Sequence, residues 1–529
     1  MLGIRNIIRQ GSIYAVTNVL LLMFSVVTFP IFTRIFSKEE YGLMNLLTIT
    51  LTMASLVCSG DLKDAILRYY GEFEQKGEVG TLMSNTFTGS LLISVIGYLL
   101  SVGVSYALFQ LNIISGDVFT IIIISFLAII AGNIITPIQT FYRVREEAVK
   151  YCAVSVIGKL FTTGLLIAFV VYLSHGIYGL FVGQTVAQGI VAAILFVIFV
   201  KKYGLKMVSI SAGHLKTFLK YSLPLVVNGM FAYLANFGNR FLIALFMGQS
   251  SVATFVVAYV LPDYLETAVI LSLNMVLYPS IMNLWGKGKD EEAEEILRKF
   301  LFIYIAIAIP IVFGLYSIRY EVIEVLASEK YLESAELIAV LTLGIMTRGL
   351  YFPLAAGLYK EKKTNLIALV NIGGVTVNVL LNVILIPVLG LKGAAFATFI
   401  AYLAVLFISY CLSRRYARIY INFREVMKFA AIAILVSVIM CVALNFISMK
   451  PLGMIYELIC KIVAGVSIYG CGVYVLVRKV RSLIKGGTLS SRYEGSKVNG
   501  VSFHWKKGQK EGGNTTHDGE VEKMPFQNV

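Results

Sequence analysis

Fourteen times along this chain, about twenty consecutive residues are predominantly apolar, and that repetition restricts what the backbone can do. In hydrocarbon every peptide N–H and C=O must be satisfied within the protein, so runs of this length cross a membrane only as helices. The runs lie near 12–33, 41–60, 81–106, 118–140, 151–173, 178–200, 221–247, 252–281, 300–318, 335–357, 364–388, 392–412, 428–448 and 453–477. Only 14% of the residues are charged, against roughly 25% in soluble domains. The expectation is an all-α integral membrane protein with about 14 transmembrane helices.

A long repeat organises these spans. GIYGLFVGQTVA, from Gly176 to Ala187, returns as GLKGAAFATFIA from Gly390 to Ala401. Each copy then runs through an apolar segment to a basic exit, Lys201-Lys202-Tyr203 in one and Arg414-Arg415-Tyr416 in the other. Six spans end at each exit. An even number per half leaves both halves in the same orientation, so the repeat is parallel rather than inverted, a plan common among transporters. The predicted organisation is a six-helix lobe over 1–202, a linker over 203–220, a second six-helix lobe over 221–415, an appended pair over 416–481 and a disordered cytoplasmic tail over 482–529. Between spans 8 and 9, Glu294 precedes Arg298 by four residues and Glu295 precedes Lys299 by four, a favourable helical order. A surface helix feeding span 9 is expected there.

The net charge of +15 reflects topology. Of 45 Lys and Arg, 35 fall in loops and tails on one side, 6 on the other and four within spans. By the positive-inside rule both termini are cytoplasmic, in a cell membrane. Nucleic acid is not an expected partner. Six cysteines in or beside apolar spans, without paired spacing, read as free buried thiols. The four histidines have no metal-spaced partner, and no Walker motif is present. No outer loop is large enough for a soluble catalytic site. The chain therefore reads as a transporter without enzymatic activity, metal or cofactor, with proton or sodium coupling left open.

Charges inside the membrane are costly and usually face a cavity or a partner. Arg240 lies ~10 Å inside the outer end of span 7; it is either a cation for phosphate or half of a structural ion pair. Asp263 and Glu266 share a helical face near the middle of span 8. They are candidate coupling acids, and Asp263 is within reach of Arg240 if spans 7 and 8 form a hairpin. Arg34, four residues after Pro30, either meets substrate or anchors to headgroups. Arg348, beside Gly349 and Pro353 in span 10, is a candidate pore-facing group. Lys159 and Lys461 read as snorkelling lysines, with Glu457 a helical partner for Lys461. Arg68, beside Tyr69-Tyr70, sits where span 2 leaves the membrane. It is either interfacial or a contact for a phosphate headgroup. Prolines 30, 137, 224, 262, 279, 310 and 353 are candidate bends.

FPIFTRIFSKEEYGLMNLLT (Phe29–Thr48), GDLKDAILRYY after span 2 and SEKYLESAELIAVL (Ser328–Leu341), with the glycine-rich starts of spans 6 and 12, resemble the polysaccharide transporter, or oligosaccharide flippase, family of the MATE-like superfamily. That resemblance covers spans 1–14. It implies export of a polyprenyl-diphosphate-linked sugar unit from inner to outer leaflet by alternating access between two lobes. It further implies Arg34, Arg68 and Arg240 as headgroup contacts, and polymerase and glycosyltransferases as partners. The chain departs from the pattern in carrying Asn239-Arg240 where an acidic-Arg pair is common. Alternatives are a flippase for a lipid II-type cell-wall precursor, a cation-coupled multidrug antiporter and, in a different class, a membrane glycosyl polymerase.

Overall fold

The computed structural model describes residues 2–172, 176–203, 211–416, 423–447 and 453–486, which are helical almost throughout and contain no strand. The first lobe opens with α1 (Leu2–Ile35) and α2 (Lys38–Ser59). A short α3 (Leu62–Gln75) follows, then α4 (Val79–Gln110), α5 (Gly116–Val144), α6 (Ala148–Val171) and α7 (Gly176–Tyr203). The helix α3 is not a span. Leu62, Ala65, Ile66, Tyr70 and Phe73 are its buried stripe, spaced as an amphipathic helix requires, and it packs on α4 and α5. Gly60 and Asp61, both left-handed (φ 55° and 50°), make the turn into it.

The second lobe is more interrupted. It runs α8 (Ala212–Phe237), α9 (Asn239–Met247), α10 (Gln249–Leu265), a π-helical segment Glu266–Leu271 and α11 (Ser272–Gly286). Next come α12 (Asp290–Ser317), α13 (Arg319–Leu326) and a 3₁₀ segment Glu329–Ser334. The lobe closes with α14 (Ala335–Gly349), α15 (Tyr351–Leu354), α16 (Ala356–Lys360), α17 (Thr364–Leu389) and α18 (Leu391–Tyr416). The appended pair is α19 (Phe423–Asn445) and α20 (Met454–Gly486). Residues 1–473 form one compact unit; from Tyr474 a second begins, described only as the continuation of α20 to Gly486.

The two lobes are built alike. The repeat-bearing α7 packs on α5 and α6, and the repeat-bearing α18 packs on α17 and α14. Small residues let these helices approach. A Cβ on Gly183 would lie 3.1 Å from Leu166 Cα, and one on Gly393 would lie 2.2 Å from the Leu385 carbonyl oxygen.

One expectation needs adjustment. Thirteen described helices are long and apolar enough to span, because the tenth span is broken into α14, α15 and α16. The break is stabilised locally: the Tyr304 hydroxyl donates to the Met346 carbonyl at 2.7 Å, and Gly349 leaves room for that ring, since a Cβ there would lie 2.0 Å from the hydroxyl. A helix interruption inside a membrane bundle persists where neighbouring side chains satisfy the freed backbone groups. The helix α8 begins at Ala212, within the expected linker. The surface helix expected before span 9 is present as the start of α12 and runs on into the span, with Glu295 paired to Lys299 at 2.7 Å. The polar tail from 487 onward lies outside the described residues.

Candidate functional site

Chain direction distinguishes two faces. The basic face carries the starts of α1 and α12 and the ends of α7 and α18; the far face carries the α1–α2 turn, Gly248 and residues 318–334. Between them, the second lobe gathers four charged groups from three broken spans. Gly238 separates α8 from α9, with its N–H donating to the Leu234 carbonyl at 2.7 Å. Arg240 follows at once. Asp263 and Glu266 sit where α10 turns into the π segment. Such segments carry an extra residue per turn and are frequent at functional sites. Arg348 stands one residue before α14 ends.

The structure pairs these groups differently from the hairpin expectation. Arg348 Nη2 meets Glu266 Oε1 at 2.6 Å, while Nη1 donates to Asn236 Oδ1 at 2.9 Å and to the Tyr402 hydroxyl at 3.3 Å. Arg240 is 7% exposed. Its guanidinium lies over the rings of Phe237 (4.6 Å) and Tyr259 (5.4 Å), and its Nε has no hydrogen-bond partner. No carboxylate among the described residues comes within 4.0 Å of it. Asp263 remains partly accessible and interacts electrostatically with Arg240 first and with Arg348 second. The cluster therefore holds one locked pair and two groups not bonded to each other. A buried guanidinium over aromatic faces gains cation–π stabilisation but keeps unused donors, and Arg presents them in a fork that matches phosphate.

The other candidates lie elsewhere. Arg34 is at the far face, where Nη2 donates to the Val325 carbonyl at 2.5 Å. It thus ties α1 to α13 and does not stand at the depth of Arg240. Arg68 is on the exposed side of α3, paired with Glu72 at 3.0 Å and lying over the Tyr69 ring. Lys159 is exposed mid-helix on α6. Lys461 is buried, with Glu457 at 2.8 Å as anticipated and Glu321 of α13 as an additional partner. A separate polar cavity of about 70 Å³ in the first lobe is lined by Ser55, Ser59, Lys63, Ser90, Asn133 and Thr136.

The far-face seam explains the most specific motif, RIFSKEEYG. Ser37 and Glu40 form a reciprocal capping box at the start of α2, Glu40 N–H to Ser37 Oγ at 3.1 Å and Ser37 N–H to Glu40 Oε2 at 2.9 Å. Tyr41 packs edge-on against Tyr331. Gly42 lets α2 close on α10: a Cβ there would fall 1.9 Å from the Gln249 carbonyl oxygen. Lys330 donates to the Phe36 carbonyl at 2.5 Å, and burial holds its ammonium below the ordinary lysine pKa. Gly42→Ala is expected to force this seam apart. In a chain carrying Ala253→Cys, a site fully buried one turn beyond Gln249 on α10, labelling by an impermeant maleimide should rise at least tenfold. An unchanged rate would show that the seam absorbs the methyl group.

Sequence reasoning missed Asn236, Tyr259, Tyr402 and Glu321. A signal existed for Asn236, a polar residue one turn before Arg240 in an apolar span; the tyrosines carry none.

Residues 31–336 match the family model described as polysaccharide biosynthesis protein. A comparison with curated proteins finds no match. Among solved structures, the chain is similar to the lipid II flippase MurJ in its inward closed conformation, with a TM-score of 0.70 and 16% identity over 89% of this chain and 99% of that one. It is also similar to a multidrug resistance MATE transporter of the MOP superfamily in an inward-facing conformation (TM-score 0.56, 15% identity, 77% and 96% covered). A third is a point mutant of the Vibrio cholerae MATE transporter VcmN (TM-score 0.52, 14% identity, 79% and 98% covered). At these identities the likeness is one of fold. The family match spans more than half of the sequence, and the chain therefore belongs to the polysaccharide biosynthesis protein family, on a fold shared with MurJ and the MATE transporters.

Proposed function

We propose that this protein moves a polyprenyl-diphosphate-linked oligosaccharide from the cytoplasmic to the outer leaflet by alternating access between its two lobes. The basic face is cytoplasmic in this reading, which the 35-to-6 distribution of Lys and Arg supports. The observation that carries it is Arg240, a deeply buried guanidinium with no carboxylate bonded to it. A buried cation with no bonded carboxylate, and with Asp263 acting on it only at longer range, is destabilising until an anion completes the site, and a diphosphate supplies one while its lipid remains in hydrocarbon.

Arg348 plays a different part: locked to Glu266, it holds α14 against the π segment and shapes the floor of the site. Arg34 and Arg68 act at the two mouths, the first at the outer seam and the second where a headgroup arrives from the cytoplasm. Asp263, accessible and balanced between two arginines, is the coupling acid, protonated or cation-bound as the substrate leaves. Asp263→Asn is expected to leave substrate binding intact while abolishing the dependence of transport on an imposed ion or proton gradient. Uptake into vesicles with and without the gradient measures it. A variant that keeps full gradient dependence returns Asp263 to a structural role.

The similarity to a lipid II flippase keeps a cell-wall precursor as the second substrate reading. Reconstituted vesicles offered each lipid-linked glycan distinguish the two. A protein that translocates neither, yet extrudes cationic drugs in a manner dependent on Asp263, would be an antiporter instead.

A further inference from the structure

The appended helices meet the rest of the protein at a buried ion triad that the transport reading does not use. On α20, Glu457 and Lys461 stand one turn apart and are 6% and 7% exposed. Lys461 is shared between Glu457 Oε1, at 2.8 Å, and Glu321 Oε1 of α13. Around the triad, Ile318 and Val322 pack on Leu458, with Val325 and Leu326 beside them. This short helix is the same one whose last turn faces the first lobe: the Val325 carbonyl accepts from Arg34, and the Leu326 carbonyl faces Thr33. So α13 is held on one side by the appended pair and on the other by α1.

The two attachments differ in kind. Toward α1, the polar contacts are hydrogen bonds from the exposed Arg34 and the buried Thr33 to backbone carbonyls, beside an apolar cluster that Ile323 shares with Phe32 and Phe36. Toward α20, the contact is a buried salt bridge backed by an apolar cluster, and severing it would strand an uncompensated charge. An outer seam that opens without breaking this ion pair releases α13 from α1 and keeps it on α20.

We propose that Lys461 and Glu321 are positioning residues for transport: they anchor α13 to the appended helices so that α13 closes the outer seam on Arg34, while Glu457 balances the Lys461 charge within α20. The appended pair thereby sets how readily the seam opens. This inference does not depend on the identity of the substrate.

The triad also supplies a selective test. Glu321→Gln cuts the tie to α13 but leaves Lys461 paired with Glu457, so the helix pair keeps its charge balance. Glu457→Gln leaves the tie in place. In full-length protein in nanodiscs carrying Ala253→Cys, impermeant maleimide should label the Glu321→Gln variant at least fivefold faster than the parent. Glu457→Gln should label at a rate near the parent's, and Glu321→Asp should restore slow labelling. The background from native cysteines is subtracted with chains lacking Ala253→Cys. Equal labelling of the Glu321→Gln variant and the parent, with both eluting as folded protein, would overturn the proposal. So would equal acceleration by Glu321→Gln and Glu457→Gln, which would mark the triad as general support. If Glu321→Gln does not fold, Arg34→Gln tests the other attachment of α13 with the same reporter, and an unchanged rate there also overturns it.

Discussion

Arg240→Ala is expected to lower translocation of a lipid-diphosphate glycan on the order of a hundredfold while the protein still reaches the membrane in normal amount. A hydrogen bond to a charged group contributes about 1.5–3 kcal/mol, and a guanidinium can make two to one phosphate. Losing both would remove roughly 3 kcal/mol or more, about two orders of magnitude at 1.4 kcal/mol per factor of ten. Folding should not suffer in proportion. The Arg240 side chain makes no ion pair that would leave a stranded acid behind, and Phe237 and Tyr259 can close over the space. Arg240→Lys should fall between, since a lysine keeps the charge without the planar fork. Transport and membrane abundance measured together separate the two effects. A variant that transports normally would place Arg240 among the packing residues.

Breaking the neighbouring pair should give the opposite pattern. Arg348→Ala strands the buried Glu266 carboxylate, whereas Glu266→Ala leaves Arg348, whose side chain is 35% exposed, with Asn236 and Tyr402 as hydrogen-bond partners. Removing one member of a fully buried pair typically costs about 3–5 kcal/mol; solvent at the 35%-exposed Arg348 side chain lowers that cost here, and replacing both with apolar groups of similar size is often neutral. Both single variants should therefore lower the thermal midpoint in detergent, Arg348→Ala more than Glu266→Ala. The double variant Glu266→Leu with Arg348→Met should recover most of the loss. Equal instability of the double variant would mean that Arg348 is needed for its bonds to Asn236 and Tyr402 rather than for its charge. Tyr402→Phe, which removes the 3.3 Å contact alone, then tells the two apart.

The contrast between these arginines shows what the sequence could and could not convey. Fold class was legible because hydrocarbon imposes one backbone solution on every long apolar run, and the repeated glycine-to-basic segment revealed the parallel halves. Arg240, Asp263, Glu266 and Arg348 could be recognised as a set by depth alone. Their pairing could not. Three interruptions decide it: Gly238, the π segment at Glu266 and the break after Gly349 each turn a helix face by an amount that spacing does not record. The expected Arg240–Asp263 contact assumed two regular helices, and the structure instead swings Glu266 onto Arg348. Arg34 was misplaced for a related reason. It sits in the last turn of α1, where a neighbouring strap offers it the Val325 carbonyl oxygen. That strap, α13, lies nearly 300 residues away in the chain, beyond any local pattern.

The RIFSKEEYG motif was readable as a family mark, but not as a device. Its capping box follows the S-x-x-E spacing and could have been derived. The need for glycine at position 42 could not, because the atom that excludes a side chain there is the Gln249 carbonyl oxygen of the opposite lobe.

The most direct measurement is leaflet-resolved translocation by the purified full chain in sealed vesicles. A polyprenyl-diphosphate oligosaccharide is placed in one leaflet, and an added glycan-modifying enzyme reports its arrival in the other. The account predicts transfer well above protein-free vesicles, a loss of that transfer in Arg240→Ala, and little transfer of the same glycan on a neutral lipid carrier. Equal transfer of diphosphate-linked and neutral carriers, or full transfer by Arg240→Ala, would contradict it.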